Sequence, residues 1–261
     1  DRHTHPNSMY SNFCHVLKIN LKKSLKRKSY MEELLRSYQD FLDVHFIEAI
    51  DGKKMSKEQQ SDLWNQKATY KTYGRYMKSG EIGCALSHRK CYEEILKQQD
   101  DMALILEDDI SFQDVNVKNI IISVQNVLQT KKPVVLLLSG DYWYTRKKWV
   151  LNKDFQLASV HEAMGAIAYI VNRSAAQKML SLQKRYLADD WYNIKKTGIK
   201  LYALFPHFVD CADLGTEVSN NGYVGTIRNN LSCPVMLHSY YRAVIRQILG
   251  RIRHFEKRVC F

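Results

Sequence analysis

Five apolar residues, Met102 to Leu106, run straight into three carboxylates, Glu107-Asp108-Asp109, and this junction constrains the fold most. A short, continuously apolar run is the pattern of a strand covered on both faces, as in sheets with helices on either side. The neighbouring segments repeat the theme. His15–Leu21, Val44–Ile50, Val134–Leu138, Ala163–Val171 and Leu201–Phe205 read as further strands. Between them, helical spacing is expected from Ser24 to Tyr38, with Met31, Leu34, Leu35 and Tyr38 inward. Further helices are expected from Ser79 to about Gln99 and from Val117 to Leu128, with another opened by a capping box at Ser174–Gln177. Strands alternating with helices predict an α/β protein with a mainly parallel, Rossmann-type sheet flanked by helices. Val209 to Pro234 dissolves into Gly, Asn and Ser and reads as a functional loop, and Ser239 to Val259 is helical again. Without an internal repeat or a linker, one catalytic domain over residues 9–238 is expected, followed by a basic amphipathic helix over 239–261.

Asp1 to Ser8 precede Met9 and read as a tag remnant, outside the fold. The 45% hydrophobic and 25% charged fractions are those of a globular chain. No run approaches the roughly 20 apolar residues that span a bilayer, and Lys18, Lys22 and Lys23 interrupt any leader after Met9. A cytoplasmic protein is expected, and six cysteines without a CxxC pair fit reduced thiols. The formal net charge of +12 predicts an anionic partner: nucleic acid, an anionic membrane surface or a phosphorylated substrate.

The acidic triplet sits where open α/β sheets bind ligands, beyond a strand's carboxyl end. Strand alternation would put Glu107 and Asp109 on one face and Asp108 on the other. Three adjacent carboxylates repel one another, and a hard divalent cation, Mn²⁺ or Mg²⁺, would relieve this; a solvated turn whose last Asp caps a helix is the alternative. Asp189-Asp190 could supply a base for a hydroxyl acceptor, or an N-cap with a first-turn acid. Gly80 and Gly83 open a helix and allow close backbone approach to a phosphate, though helix-to-sheet packing explains them equally. Cys84, His88 and Cys91 share a helical face that reads as packed core. Tyr142, Trp143, Tyr144 and Trp149, interleaved with Arg146, Lys147 and Lys148, suit a sugar phosphate or form a hairpin with exposed aromatics. In the last helix Ile245, Ile248, Leu249, Ile252, Phe255 and Val259 form a stripe against Arg242, Arg246, Arg251, Arg253, Lys257 and Arg258. That pattern suits an anionic membrane surface; docking on its own domain, or a homodimer interface, would read the same.

Taken together, several segments resemble glycosyltransferase family 25, the bacterial lipopolysaccharide and lipooligosaccharide glycosyltransferases. They are Ile19-Asn20-Leu21 with Arg27, Phe46 to Gly52, Gly80 to His88, Ile105 to Asp109, Gly165 to Val171, and Asp189-Asp190. The resemblance implies a GT-A-like fold, a UDP-sugar donor, inversion at the sugar carbon and a glycolipid core acceptor at the inner membrane. By position it implies metal ligands at Glu107 and Asp109, with His238 as a late histidine that could complete the site. It implies donor contacts at Asn20, Leu21, Arg27, Asp51, Gly52, Glu81, His88 and Asp108, and a catalytic acid at Asp189 or Asp190. Animal relatives glycosylate collagen, but the expected absence of a signal peptide and companion domains favours the bacterial role. No reading helix, zinc finger or RNP motif supports nucleic-acid binding.

Overall fold

The computed structural model describes residues 14–98, 100–214 and 233–258. In chain order the strands are β1 (Cys14–Asn20), β2 (Leu42–Glu48), β3 (Met102–Leu106), β4 (Ile110–Phe112), β5 (Val134–Leu137), β6 (Tyr142–Val150), β7 (Gln156–Ala163), β8 (Ala168–Asn172), β9 (Lys200–Phe205), β10 (Val209–Cys211) and β11 (Phe255–Glu256). The helices are α1 (Leu25–Arg36), α2 (Lys57–Leu63), α3 (Gln66–Tyr73), α4 (Ser79–Gln98), α5 (Val117–Leu128), α6 (Arg173–Ser181), α7 (Trp191–Lys195) and α8 (Cys233–Arg251), with a 3-10 turn at Gly52–Lys54.

Nine strands form one sheet in the order β11-β6-β7-β9-β5-β8-β3-β1-β2. Parallel pairing joins β2 to β1, β1 to β3, and β5 to β9. β8 runs antiparallel to both β3 and β5, so β1, β2, β3, β5 and β9 share one direction around a single reversed strand. β7, β6 and β11 extend the sheet by antiparallel pairing alone. The α/β class and the mostly parallel centre stand as expected. The antiparallel extension was not foreseen.

Side-chain alternation explains the two helical layers. Leu104 and Leu106 pack with Met31 and Leu35 of α1 and Ile120 and Val124 of α5. Ala103 and Ile105 pack on the opposite face with Cys91 and Ile95 of α4 and Ala175 and Met179 of α6. Every residue named here is less than 5% exposed, so this sheet is covered on both sides as its apolar runs require.

Several boundaries moved for local reasons. The expected strand Ala163–Val171 is two strands, broken where Gly165 takes φ +79 between β7 and β8. The expected capping box at Ser174 is replaced by Asn172, whose side chain caps α6 at Ala175 N and also accepts from Val134 N. The last helix begins at Cys233 and ends at Arg251, so residue 239 lies inside it, and Phe255–Glu256 rejoins the sheet beside Tyr142 and Trp143. The expected loop from Val209 begins with β10, paired to β4; residues 215–232 and Val259 lie outside the described residues. Of the four hairpin aromatics, Trp149 is exposed and the other three are engaged in packing. Tyr142 and Tyr144 are buried, and Trp143 stacks on Phe255 at 4.5 Å.

His207, buried just after β9, ties the returning tail to the sheet. Its Nδ1 meets Glu256 at 2.7 Å and its Nε2 meets Asp210 at 3.0 Å. Burial opposes the imidazolium, but the hydrogen bonds to Glu256 and Asp210 outweigh it and raise the His207 pKa. A raised histidine pKa stabilises the fold fully below the ordinary value near ~6.5, and that stability is lost as pH rises through the folded value. As pH rises above the ordinary histidine value, melting temperature should therefore fall by more in the wild type than in His207→Gln; equal slopes in calorimetric scans would refute this anchoring role.

Candidate active site

The parallel strands β1, β2 and β3 all end at one edge of the sheet, and β8 begins there because it is reversed. That geometry brings Asn20, the Asp51-Gly52 turn, the Glu107-Asp108-Asp109 triplet and Gly165 to a single end of the molecule. Ligands of open α/β sheets bind at such an edge.

The triplet is divided differently from the strand rule. β3 ends at Leu106, so the carboxylates lie in a turn where alternation no longer applies. Arg27 Nη1 donates to both Asp108 Oδ1 and Asp109 Oδ2 at 3.0 Å. Asp108 also accepts from Asn20 Nδ2 at 2.6 Å. Glu107 stands apart, 3.1 Å from His88 Nε2. Because a carboxylate only accepts, His88 donates from Nε2, while its Nδ1 meets Tyr169 Oη at 2.8 Å, which in turn meets Tyr92 Oη at 2.8 Å. A buried polar chain thus fixes the orientation of Glu107.

Asp109 keeps one oxygen, Oδ1, buried and without a hydrogen-bond partner. Burial and then the nearby Glu107 charge push the Asp109 pKa up to about 6, against the pull of Arg27. Unpaired carboxylate oxygen beside a second carboxylate is the donor chemistry that hard divalent cations take. These residues therefore fit a Mn²⁺ or Mg²⁺ ion. Among the described residues, a softer trio, Cys84, His88 and Glu107, has its ligand atoms within 4.8 Å of one another. Cys91 is fully buried in the core, as expected of that helical face, while Cys84 and His88 turn toward Glu107. His238 lies elsewhere: its described contacts are Lys196 Nζ at 3.0 Å and the Tyr192 ring.

The two late aspartates have separate duties. Asp190 caps α7 through Asn193 N, accepts from Asn193 Nδ2 at 2.8 Å and receives the Tyr73 hydroxyl at 2.5 Å. Asp189 Oδ2 accepts the Gly165 N–H at 3.0 Å, and Gly165 O in turn accepts from Trp191 Nε1 at 2.7 Å. Burial, then the charges of Glu107 and Asp190, raise the Asp189 pKa despite that hydrogen bond.

The other expected donor residues are mostly engaged in building the edge. Gly52 and Gly83 touch: a Cβ on Gly52 would lie 1.7 Å from Ser79 O, and one on Gly83 2.6 Å from Gly52 N. Gly83 therefore serves close packing of the 3-10 turn on α4, one of the two readings left open for it. Asp51 pairs with Lys23 at 2.7 Å, and Glu81 holds Arg75 in a two-pronged pair while accepting Lys78 N. Leu21 is half-buried, its carbonyl accepting Ser24 N in the turn after β1. Sequence reasoning missed Tyr73, Gly165, Tyr169 and Arg258. Gly165 and Tyr169 lay inside a segment of the family resemblance and Arg258 in the expected basic stripe, none with a site role.

A mixed sheet with an acidic cluster beyond its parallel strand ends defines an α/β protein built to hold a polar ligand at that edge. Residues 13–192 match the model of glycosyltransferase family 25 (LPS biosynthesis protein), and the chain belongs to that family. Procollagen galactosyltransferase 2 of Mus musculus is 27% identical over 183 residues, 59% of this chain and 28% of that protein. Procollagen galactosyltransferase 1 of Danio rerio is 25% identical over 75% of this chain and 33% of its own length. A glycosyltransferase 25 family member of Aedes aegypti is 25% identical over 69% of this chain and 30% of its own. The chain thus spans about a third or less of these relatives. The segments of the sequence-level resemblance up to Asp190 fall inside the matched region.

The division of labour between the late aspartates is testable by stability. Asp190→Ala should cost about 1–2 kcal/mol through the lost cap and the orphaned Tyr73 hydroxyl. Asp189→Asn, which removes a charge from a desolvated position, should cost less; urea titrations showing the reverse order would refute the assignment.

Proposed function

We propose that this protein is an inverting, divalent-metal-dependent hexosyltransferase that moves galactose from UDP-galactose to a lipooligosaccharide core. One observation carries the reading: Asp109, with its orphaned oxygen, and Asp189, held by the Gly165 N–H, both lie close enough to Glu107 to feel its charge, inside the family-matched region. The names of the relatives support galactose, and the family's description supports a lipopolysaccharide acceptor.

In this mechanism Asp189 takes the proton of the acceptor hydroxyl as its oxygen bonds to the anomeric carbon. UDP leaves from the opposite face with the electron pair of the broken glycosidic C–O bond. A carboxylate made more basic by burial is suited to that task near neutral pH. When bound, Mn²⁺ or Mg²⁺ would be held by Asp109 and Glu107 and would neutralise charge on the departing diphosphate. Asp108 and Asn20 keep Arg27 on the donor side, and His88 keeps Glu107 turned toward the site.

Peripheral attachment to the anionic inner membrane from the cytoplasm is part of the proposal. Among the described residues no helix is long and apolar enough to cross a membrane. On α8, Leu237, Tyr241 and Ile248 are exposed at helical spacing, and Ile252 is exposed just past its end with cationic Arg251 and Arg253 nearby, which supports surface binding. The stripe differs from the expected one: Leu249 is buried, Phe255 belongs to β11, and Arg242 and Arg246 both turn inward to Glu162. The same exposed stripe would serve a homodimer.

Release of UDP from UDP-galactose, UDP-glucose and their N-acetyl forms, with lipooligosaccharide and collagen peptides as acceptors, tests the reading. Galactose transfer to the glycolipid with an inverted anomeric proton signal is expected. Asp189→Asn should lower kcat by about 10²–10⁴ with donor binding kept, whereas Asp109→Asn should abolish metal-dependent UDP binding. Full activity in both variants would overturn the proposal.

A further inference from the structure

The proposed donor is a dianion that must enter a site lined by Glu107, Asp109 and Asp189, so the site requires cations with donors to spare. Arg27 already bridges Asp108 and Asp109. The C-terminal tail supplies another. After β11 the chain passes Gly140 so closely that a Cβ there would sit 2.5 Å from Arg258 N. Asp141, held at φ +66 by its N–H bond to Glu256 O, grips Arg258 twice. Its Oδ1 accepts Arg258 N at 3.1 Å and its Oδ2 pairs with Nη2 at 3.3 Å.

The rest of the guanidinium is aimed at the site. Nη1 would lie 3.0 Å from a Cβ placed on Gly165, the residue whose N–H holds Asp189. Its positive charge is close enough to Asp109 to oppose the rise in that carboxyl's pKa. Yet Nη1 and Nε are both buried without a hydrogen-bond partner. Buried donors of a guanidinium are seldom left unmet, and an arginine N–H aimed at a site can donate to a phosphate oxygen there.

We propose that Arg258 is a donor-binding residue whose free Nη1 binds the diphosphate of the nucleotide sugar. The nature of the anion rests on the hexosyltransferase reading; the anion site itself rests on the geometry alone. Arg258 lies outside the family-matched residues, so this chain would complete a shared acidic centre with its own tail.

Calorimetric titration of the full chain with UDP, inorganic pyrophosphate and uridine tests this, with Mn²⁺ present and circular dichroism as the folding control. Arg258→Gln should weaken UDP and pyrophosphate by about tenfold or more while leaving uridine unchanged, with Arg258→Lys in between. Affinities for both anions within twofold of wild type would overturn the proposal. Should Arg258→Gln fail to fold, phenylglyoxal labelling of Arg258 in the wild type, followed by peptide mass spectrometry, decides. UDP and pyrophosphate should slow labelling and uridine should not; equal labelling throughout overturns the assignment. Arg258-dependent binding of pyrophosphate but not UDP would support the anion site and sink the nucleotide-sugar reading. Binding of neither would sink both.

Discussion

Carboxylates crowd one edge of the sheet, and their mutual repulsion is the constraint around which the neighbouring side chains are arranged. Glu107, Asp108, Asp109 and Asp189 converge where β1, β3 and β8 place their ends together. Like charges so close destabilise one another unless cations or hydrogen-bond donors answer each one. Asn20 and Arg27 answer Asp108, His88 answers Glu107, and a backbone N–H answers Asp189. Asp109 is answered on one oxygen only. The edge is thus poised for an added cation and for a ligand that uses it.

Rigidity at that edge comes from the layers behind it. Tyr92, Tyr169 and His88 pass hydrogen bonds from the core to Glu107, and His88 and Tyr169 are nearly fully buried. Gly52 and Gly83 allow backbone to meet backbone at the turn after β2, because no side chain larger than hydrogen fits. Tyr73, from α3, fixes Asp190 as a cap and leaves its neighbour Asp189 facing the site. Precision of this kind is what proton transfer and charge stabilisation demand.

The C-terminal segment shows how a basic composition can mislead. Its arginines looked like one cationic face, yet they divide three ways. Arg242 and Arg246 close on buried Glu162, Arg258 reaches the acidic edge, and Arg251 and Arg253 stay in solvent. Glu162 sits on β7, far away in sequence, so no local pattern could reveal the pairing. The stripe broke for a similar reason: pairing of Phe255–Glu256 with β6 ended the helical run that periodicity would have continued.

Sequence alone determined the class of fold, most element positions and the chemical character of the edge. Apolar runs of strand length, apolar spacing of helical period and a carboxylate triplet at a strand end are local features, and local physics reads them. It also carried the family, through the segments from Ile19 to Asp190. Tertiary structure decided which carboxylate does what. Asp108 and Asp109 share Arg27 because the chain leaves the pleat at Leu106. Asp189 and Asp190 part company because Tyr73 and Gly165, more than twenty residues from either in sequence, claim one each. Arg258 became part of the edge only through the return of the tail to Asp141, since hydrogen bonding and burial depend on neighbours in space.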